Sequence, residues 1–317
     1  MFTVFPYWDI SWWIGVSFTI GCLLFVACGF FYWLPVAYPE TEFAQEKTVA
    51  GGLSAFIGAT LFQIGAVLLL LEAYNDRAET KFGGALEKLL SDNFNPRRRI
   101  KTSKEDGSSS TDSDSQTKTS SHTDGSATAD ANPSVLLPST EQQALQSRIN
   151  NVNTFGEREW QWFPTWYDLK THYIFEIGFL ASFTMSLGAT IFYITGILAL
   201  PGIHLSKEVK QGIYFFPYLL GGILFWLSSA LYILETQPNW YTPQPFQIGW
   251  HIGFFNMLGG IGWTLAASFG YCSPNWCEYQ SQLSLIWASC AFSFGAALQW
   301  YESLDKYVFV IEDEKRE

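Results

Sequence analysis

The sequence predicts an all-α, polytopic membrane protein with six transmembrane helices arranged as three tandem two-helix hairpins. Three observations lead there. First, hydrophobic residues make up 48% of the 317 and charged residues only 15%, and most of the charges lie outside the long apolar runs. Second, six runs reach the roughly 20 helical residues that a hydrocarbon core of about 30 Å requires: Ser11 to Leu34, Thr48 to Leu71, Tyr173 to Leu200, Ile213 to Leu234, Gln247 to Tyr271, and Leu283 to Trp300. Third, a spacing of small residues recurs. The first pair of runs carries Gly21 and Gly29 eight apart, then Gly58, Gly65 and Glu72 seven apart. The second pair carries Gly188 and Gly196, then Gly221, Ser228 and Glu235; the third carries Gly262 and Gly270, then Ala288, Gly295 and Glu302. Seven or eight residues are close to two helical turns, so each set lies along one stripe of its helix. Small residues on one stripe let backbones approach closely inside a bilayer, where packing rather than water exclusion drives association.

In chain order, residues 1–72 form the first hairpin. Phe5, Pro6, Tyr7 and Trp8, with Trp12 and Trp13, place amphipathic rings at the headgroup level ahead of the first span. No Lys or Arg precedes that span and no small-residue cleavage site follows it, so it reads as a retained helix and not as a signal peptide. Glu40, Glu42 and Glu46 in the following loop read as a solvated acidic loop. Residues 73–172 form an insert. Its first part, Asn75 to Leu90, keeps a helical pattern with Phe82, Leu86, Leu89 and Leu90 on one face. From about 91 to 140 the composition shifts to Ser, Thr, Asp, Gly and Lys, too poor in apolar residues to offset chain entropy, and predicts disorder. Within it Arg97, Arg98, Arg99 and Lys101 precede Thr102 and Ser103. This cluster reads either as an inner-leaflet lipid contact released by phosphorylation or as a solvated positive flank. At 160–167, Trp160, Trp162, Phe163, Pro164, Trp166 and Tyr167 repeat the interfacial aromatic pattern before the second hairpin, residues 173–235. Trp240, Tyr241, Pro243, Pro245 and Phe246 repeat it before the third, residues 236–302. Residues 303–317 form a tail.

Basic residues set the expected orientation. Twelve of the eighteen Lys and Arg fall between Glu72 and His172, against only Lys47, Lys207 and Lys210 on the other side. The positive-inside rule therefore puts both termini and the insert in the cytosol. The span lengths suit a thick plasma membrane. Cys272 and Cys277 flank a short turn on the opposite, non-cytosolic side, where a disulfide is chemically permitted. No third ligand stands near them, which argues against a metal site. The net charge of −11 carries little weight, because much of the acid lies in a polar loop and the short tail, and no nucleic-acid partner is expected.

Chemistry has few places to reside. Asp9, Glu176 and Trp250, with His251 beside it, each lie at the start of an odd-numbered span, twelve residues before Gly21, Gly188 and Gly262. Glu72, Glu235 and Glu302 end the even-numbered spans at the same depth. These carboxylates read either as a ring that binds a proton or cation, with His251, or as caps on neighbouring helix N-termini, where the helix dipole favours negative charge. Their position at span ends favours caps. No metal-ligating, phosphate-binding or nucleophile motif is present, and no cofactor is expected.

The two-helix unit, with its spaced-glycine span followed by Gly58-Ala59-Thr60-Leu61-Phe62 or Gly221-Gly222-Ile223-Leu224-Phe225 and a closing Glu, resembles the YrhK-like membrane domain. The layout with a Ser-rich insert is similar to multi-pass membrane proteins of filamentous fungi. The resemblance covers the six spans and implies no catalytic residue. The expected function is that of a non-enzymatic scaffold whose insert meets cytosolic proteins or kinases. The alternative is a cation, proton or small-solute transporter or channel that uses the inner carboxylates.

Overall fold

The computed structural model describes residues 5–75, 160–164, 166–171 and 173–305. Six long helices carry the fold, and each is long and apolar enough to cross a membrane. They are α1 (Ile10–Ala37), α2 (Gly52–Tyr74), α3 (Ile177–Leu198), α4 (Phe216–Thr236), α5 (Ile248–Phe269) and α6 (Asn275–Asp305). No strand occurs among the described residues. The protein is thus an all-α, multi-pass membrane protein. The basic cluster at Arg97, Arg98, Arg99 and Lys101, with Thr102 and Ser103, and the expected disorder at 91–140 lie outside the described residues.

Local chemistry sets where the helices start and stop. Asp9 holds an extended backbone and its carboxylate accepts from Ser11 N–H at 2.9 Å, which caps the first turn of α1. Glu176 and Gln247 occupy the same N-cap position before α3 and α5. Two even-numbered helices begin differently. A π-helical turn, Glu46–Gly51, leads into α2, and another, Gln211–Phe215, leads into α4. α6 starts at Asn275, eight residues before the apolar run that marks it in the sequence, because Glu278, Gln280 and Gln282 favour helix without being hydrophobic.

Each helix packs on its predecessor and its successor, and α6 closes back on α1. The result is a ring of three hairpins in which every neighbour is antiparallel, an arrangement that an even helix number permits. The small residues mark two kinds of seam. Within hairpins, Gly21 faces Gly58, Gly188 faces Gly221, and Gly262 faces Ala288. A Cβ on Gly58 would stand 3.1 Å from the Gly21 carbonyl oxygen, and one on Gly21 would stand 3.1 Å from that of Gly58. Further along the same seams Gly65 lies against Phe18, the Ser228 hydroxyl donates to the Ala181 carbonyl at 2.7 Å, and Gly295 lies against Asn256. Between hairpins, Gly29 meets Ile286 of α6, Gly196 meets Ala59 of α2, and Gly270 meets Phe215 ahead of α4. The two glycines of each odd-numbered helix therefore serve two different neighbours.

The outward faces fit a hydrocarbon surround. Ile20, Leu23, Ile57, Ile64, Phe183 and Leu187 are exposed large apolar groups on the helix exteriors. Replacing Gly58 with Val forces apart the α1 and α2 backbones and is expected to destabilise the fold by about 1–3 kcal/mol. Chemical denaturation in detergent should show that loss, while Ile57→Val, on the outer face one residue away, should leave the midpoint unchanged.

Candidate functional site

Three features lie along the axis of the ring: an end bearing carboxylates, an aromatic plug, and a cavity at the far end. At the first, the Ser11 hydroxyl donates a short hydrogen bond to Glu72 Oε1. The equivalent places in the other hairpins hold Gly178 beside the Glu235 carboxylate and Gly249 near that of Glu302, where a Cβ would stand 3.9 Å from Oε1. Each glutamate therefore reaches the second residue of the helix that starts its own hairpin. This placement suits an anion at a helix N-terminus. Asp9 is fully buried, whereas Glu176, Glu235 and Glu302 are exposed and Glu72 is half-buried.

The third hairpin corrects the sequence register. The residue matching Asp9 and Glu176 is Gln247, the N-cap of α5, and not Trp250. His251 does not join the carboxylates; its Nε2 lies 2.7 Å from the Pro245 carbonyl oxygen. Counting from Gly262 misplaces the start by one helical turn, because the third odd helix carries its close-packed small residue also at Gly259, against the Phe292 ring.

The corrected register exposes a feature that glycine spacing alone does not reveal. Sixteen residues after the N-caps Asp9, Glu176 and Gln247 stand Phe25, Phe192 and Trp263, all buried. Four residues after Gly58, Gly221 and Ala288 stand Phe62, Phe225 and Phe292, buried as well. The six rings, one per helix, meet on the axis. Trp263 stacks on Phe192 at 4.7 Å between centroids and 6° between planes, and it lies 4.5 Å from Phe292 and 5.0 Å from Phe25. Phe62 contacts Phe225 at 5.2 Å and Trp263 at 5.7 Å. The indole N–H donates to the Ser289 hydroxyl at 3.2 Å, so the plug leaves no buried donor on Trp263 unmatched. The sequence signal is an aromatic four residues beyond the first small residue of each even span, present in the GATLF and GGILF segments.

Beyond the plug, a cavity of about 470 Å³ is lined by Phe25 and Phe192 at its base, by Tyr32, Tyr214 and Tyr218 on its walls, and by Lys47 and Lys210. The two π-helical turns supply Lys47, Thr48, Tyr214 and Phe215 to it. The turn between α5 and α6 is closed by a disulfide between Cys272 and Cys277, and the Tyr271 hydroxyl donates to the Gln211 carbonyl at 3.0 Å, tying that turn to the second π-helical turn.

At the carboxylate-bearing end a clamp joins the two chain segments that flank residues 76–159. Asn75 Nδ2 donates to the Gln161 carbonyl at 2.7 Å, and Gln161 N–H returns a bond to Asn75 Oδ1 at 2.8 Å. The Tyr74 hydroxyl donates to the Trp162 carbonyl at 2.6 Å, and the Tyr173 hydroxyl to the Tyr74 carbonyl at 3.1 Å. No group of His, Cys, Asp and Glu able to hold a metal ion occurs among the described residues.

No family model matches the chain, and neither a curated protein nor a solved structure matches it. The arrangement of its own residues therefore carries the functional reading. Changing Asn75 to Ala removes both bonds to the Gln161 backbone at a cost of about 1–3 kcal/mol. Limited proteolysis should show faster cleavage between 160 and 171 in this variant, with the six-helix core still resistant.

Proposed function

We propose that this chain is a non-enzymatic, non-conducting membrane scaffold that presents residues 76–159 to cytosolic partners. The observation that carries the reading is the aromatic plug. One large ring from each helix fills the axis, so a solute path would require displacing side chains from all six helices at once. Apolar burial of this size, together with edge and stacked pairs worth about 0.5–1.5 kcal/mol each, resists that displacement. The clamp at Asn75 adds support, since it fixes both ends of the presented segment at one point on the ring.

In this reading the chain is an internal repeat of a YrhK-like two-helix unit. Support comes from three matching N-caps, three matching small-residue seams and six matching axial rings. Both termini face the cytosol and the host bilayer is the plasma membrane, as the basic residues and span lengths suggest. The hydroxyl-rich stretch after Arg97, Arg98 and Arg99 is the phosphorylation target, with kinases and their readers as partners. Glu72, Glu235 and Glu302 act as caps on helix N-termini and not as an ion site.

Ion and proton flux in proteoliposomes tests this directly. Wild type and the Glu72→Gln, Glu235→Gln, Glu302→Gln triple variant should both be silent across several cations and pH gradients. A Phe62→Ala, Trp263→Ala double variant opens the axis, costs about 3–5 kcal/mol per site, and should leak if it stays folded, which proves the assay sensitive. Wild-type flux that vanishes in the folded triple variant would sink the scaffold and make the protein a transporter or channel.

A further inference from the structure

The cavity at the far end of the ring is unused by the scaffold reading, and its lining is chemically ordered from base to mouth. The base is apolar: Phe25 and Phe192 present the face of the plug, and Leu285 and Ala55 flank it. The wall holds three phenols. Tyr218 packs its ring on Phe192 at 5.2 Å and is 7% exposed, yet its hydroxyl has no hydrogen-bond partner in the protein. That hydroxyl is enclosed by protein, so Tyr218 shapes the wall with its ring. The mouth holds the cations. Lys210 Nζ sits 5.6 Å from the ring centroids of both Tyr214 and Phe215, and the half-buried Lys47 makes no ion pair with a described carboxylate. Glu278 is the acid of the lining and is exposed, as is His204. Two lysines and one glutamate leave a single net positive charge.

We propose that this cavity binds a small organic monocarboxylate with an apolar body. The carboxylate lies between Lys47 and Lys210, and the apolar body rests on Phe25 and Phe192. The volume suits a ligand of this kind, since small-molecule sites span about 300–1,000 Å³. A monoanion also balances the lining, whereas a dianionic phosphate would leave it net negative. The two π-helical turns explain how the site is built: each widens the helix start just where a lysine or a tyrosine must reach the axis. The site shares Phe25 and Phe192 with the scaffold reading, but the lysines that carry it play no part in that reading, and either can fail without the other.

Calorimetry on the full chain in lipid nanodiscs, with protein-free nanodiscs as reference, tests the site. The probe is 4-phenylbutyrate, its uncharged match is 4-phenylbutanol, and inorganic phosphate is the polar control. Saturable 4-phenylbutyrate binding is expected, weakened at least about tenfold in Lys47→Gln, Lys210→Gln and recovered in Lys47→Arg, Lys210→Arg. Tyr218→Phe, which removes a hydroxyl the cavity does not reach, should leave it unchanged. Phenylbutanol should bind more weakly and ignore the lysine changes, and phosphate should not compete. Laurate that displaces the probe identifies the bilayer as the source of the occupant, and laurate that fails to do so identifies water. Non-saturable uptake equal to that of protein-free nanodiscs, or saturable binding indifferent to both lysines, overturns the proposal.

Discussion

Trp263 is fully buried on the ring axis and touches an aromatic side chain from each of the other five helices, and the close approach of those helices exists to make that contact possible. In a bilayer, lipid tails are as apolar as any core side chain, so burial alone does not hold helices together. Dense packing must do so instead. Small residues at Gly21, Gly58, Gly188, Gly221, Gly262 and Ala288 bring backbones close enough for rings of this size to interlock without leaving a gap. The seams and the plug are one device: widening a seam by a single Cβ would pull a ring off its neighbours.

The same device separates the two ends of the molecule. The carboxylates sit at helix N-termini within their own hairpins, on the side where the chain ends and the insert emerge. The cavity with its phenols and lysines opens on the other side. Among the described residues, the aromatic rings of the plug lie between the two polar regions.

Much of this was legible in the residues. The six spans, the hairpin pairing, the small-residue stripes and the turn at Cys272 and Cys277 follow from hydropathy and spacing. The start of the third hairpin did not follow, because Gly262 is a true seam residue and invited a register one turn out; Trp263, in the place of Phe25 and Phe192, held the better signal. The cavity was not legible at all. Lys47, Lys210, Tyr32 and Tyr218 come from two separate stretches, 32–47 and 210–218, and the π-helical turns that aim those stretches inward have no spacing signature comparable to an amphipathic stripe. The clamp was hidden for a related reason: Asn75 recognises backbone at Gln161, and backbone groups leave no mark on a side-chain pattern.

That clamp also changes what the long connection between α2 and α3 is. Because the Asn75 and Gln161 pairing closes the chain on itself before residue 76 and after residue 159, the ring sees a connection no longer than a tight turn. Even for a freely flexible segment, each doubling of length adds only about 0.6 kcal/mol of closure entropy. The intervening residues are therefore a cassette, free to lengthen, shorten or be exchanged in evolution while the membrane ring keeps its geometry.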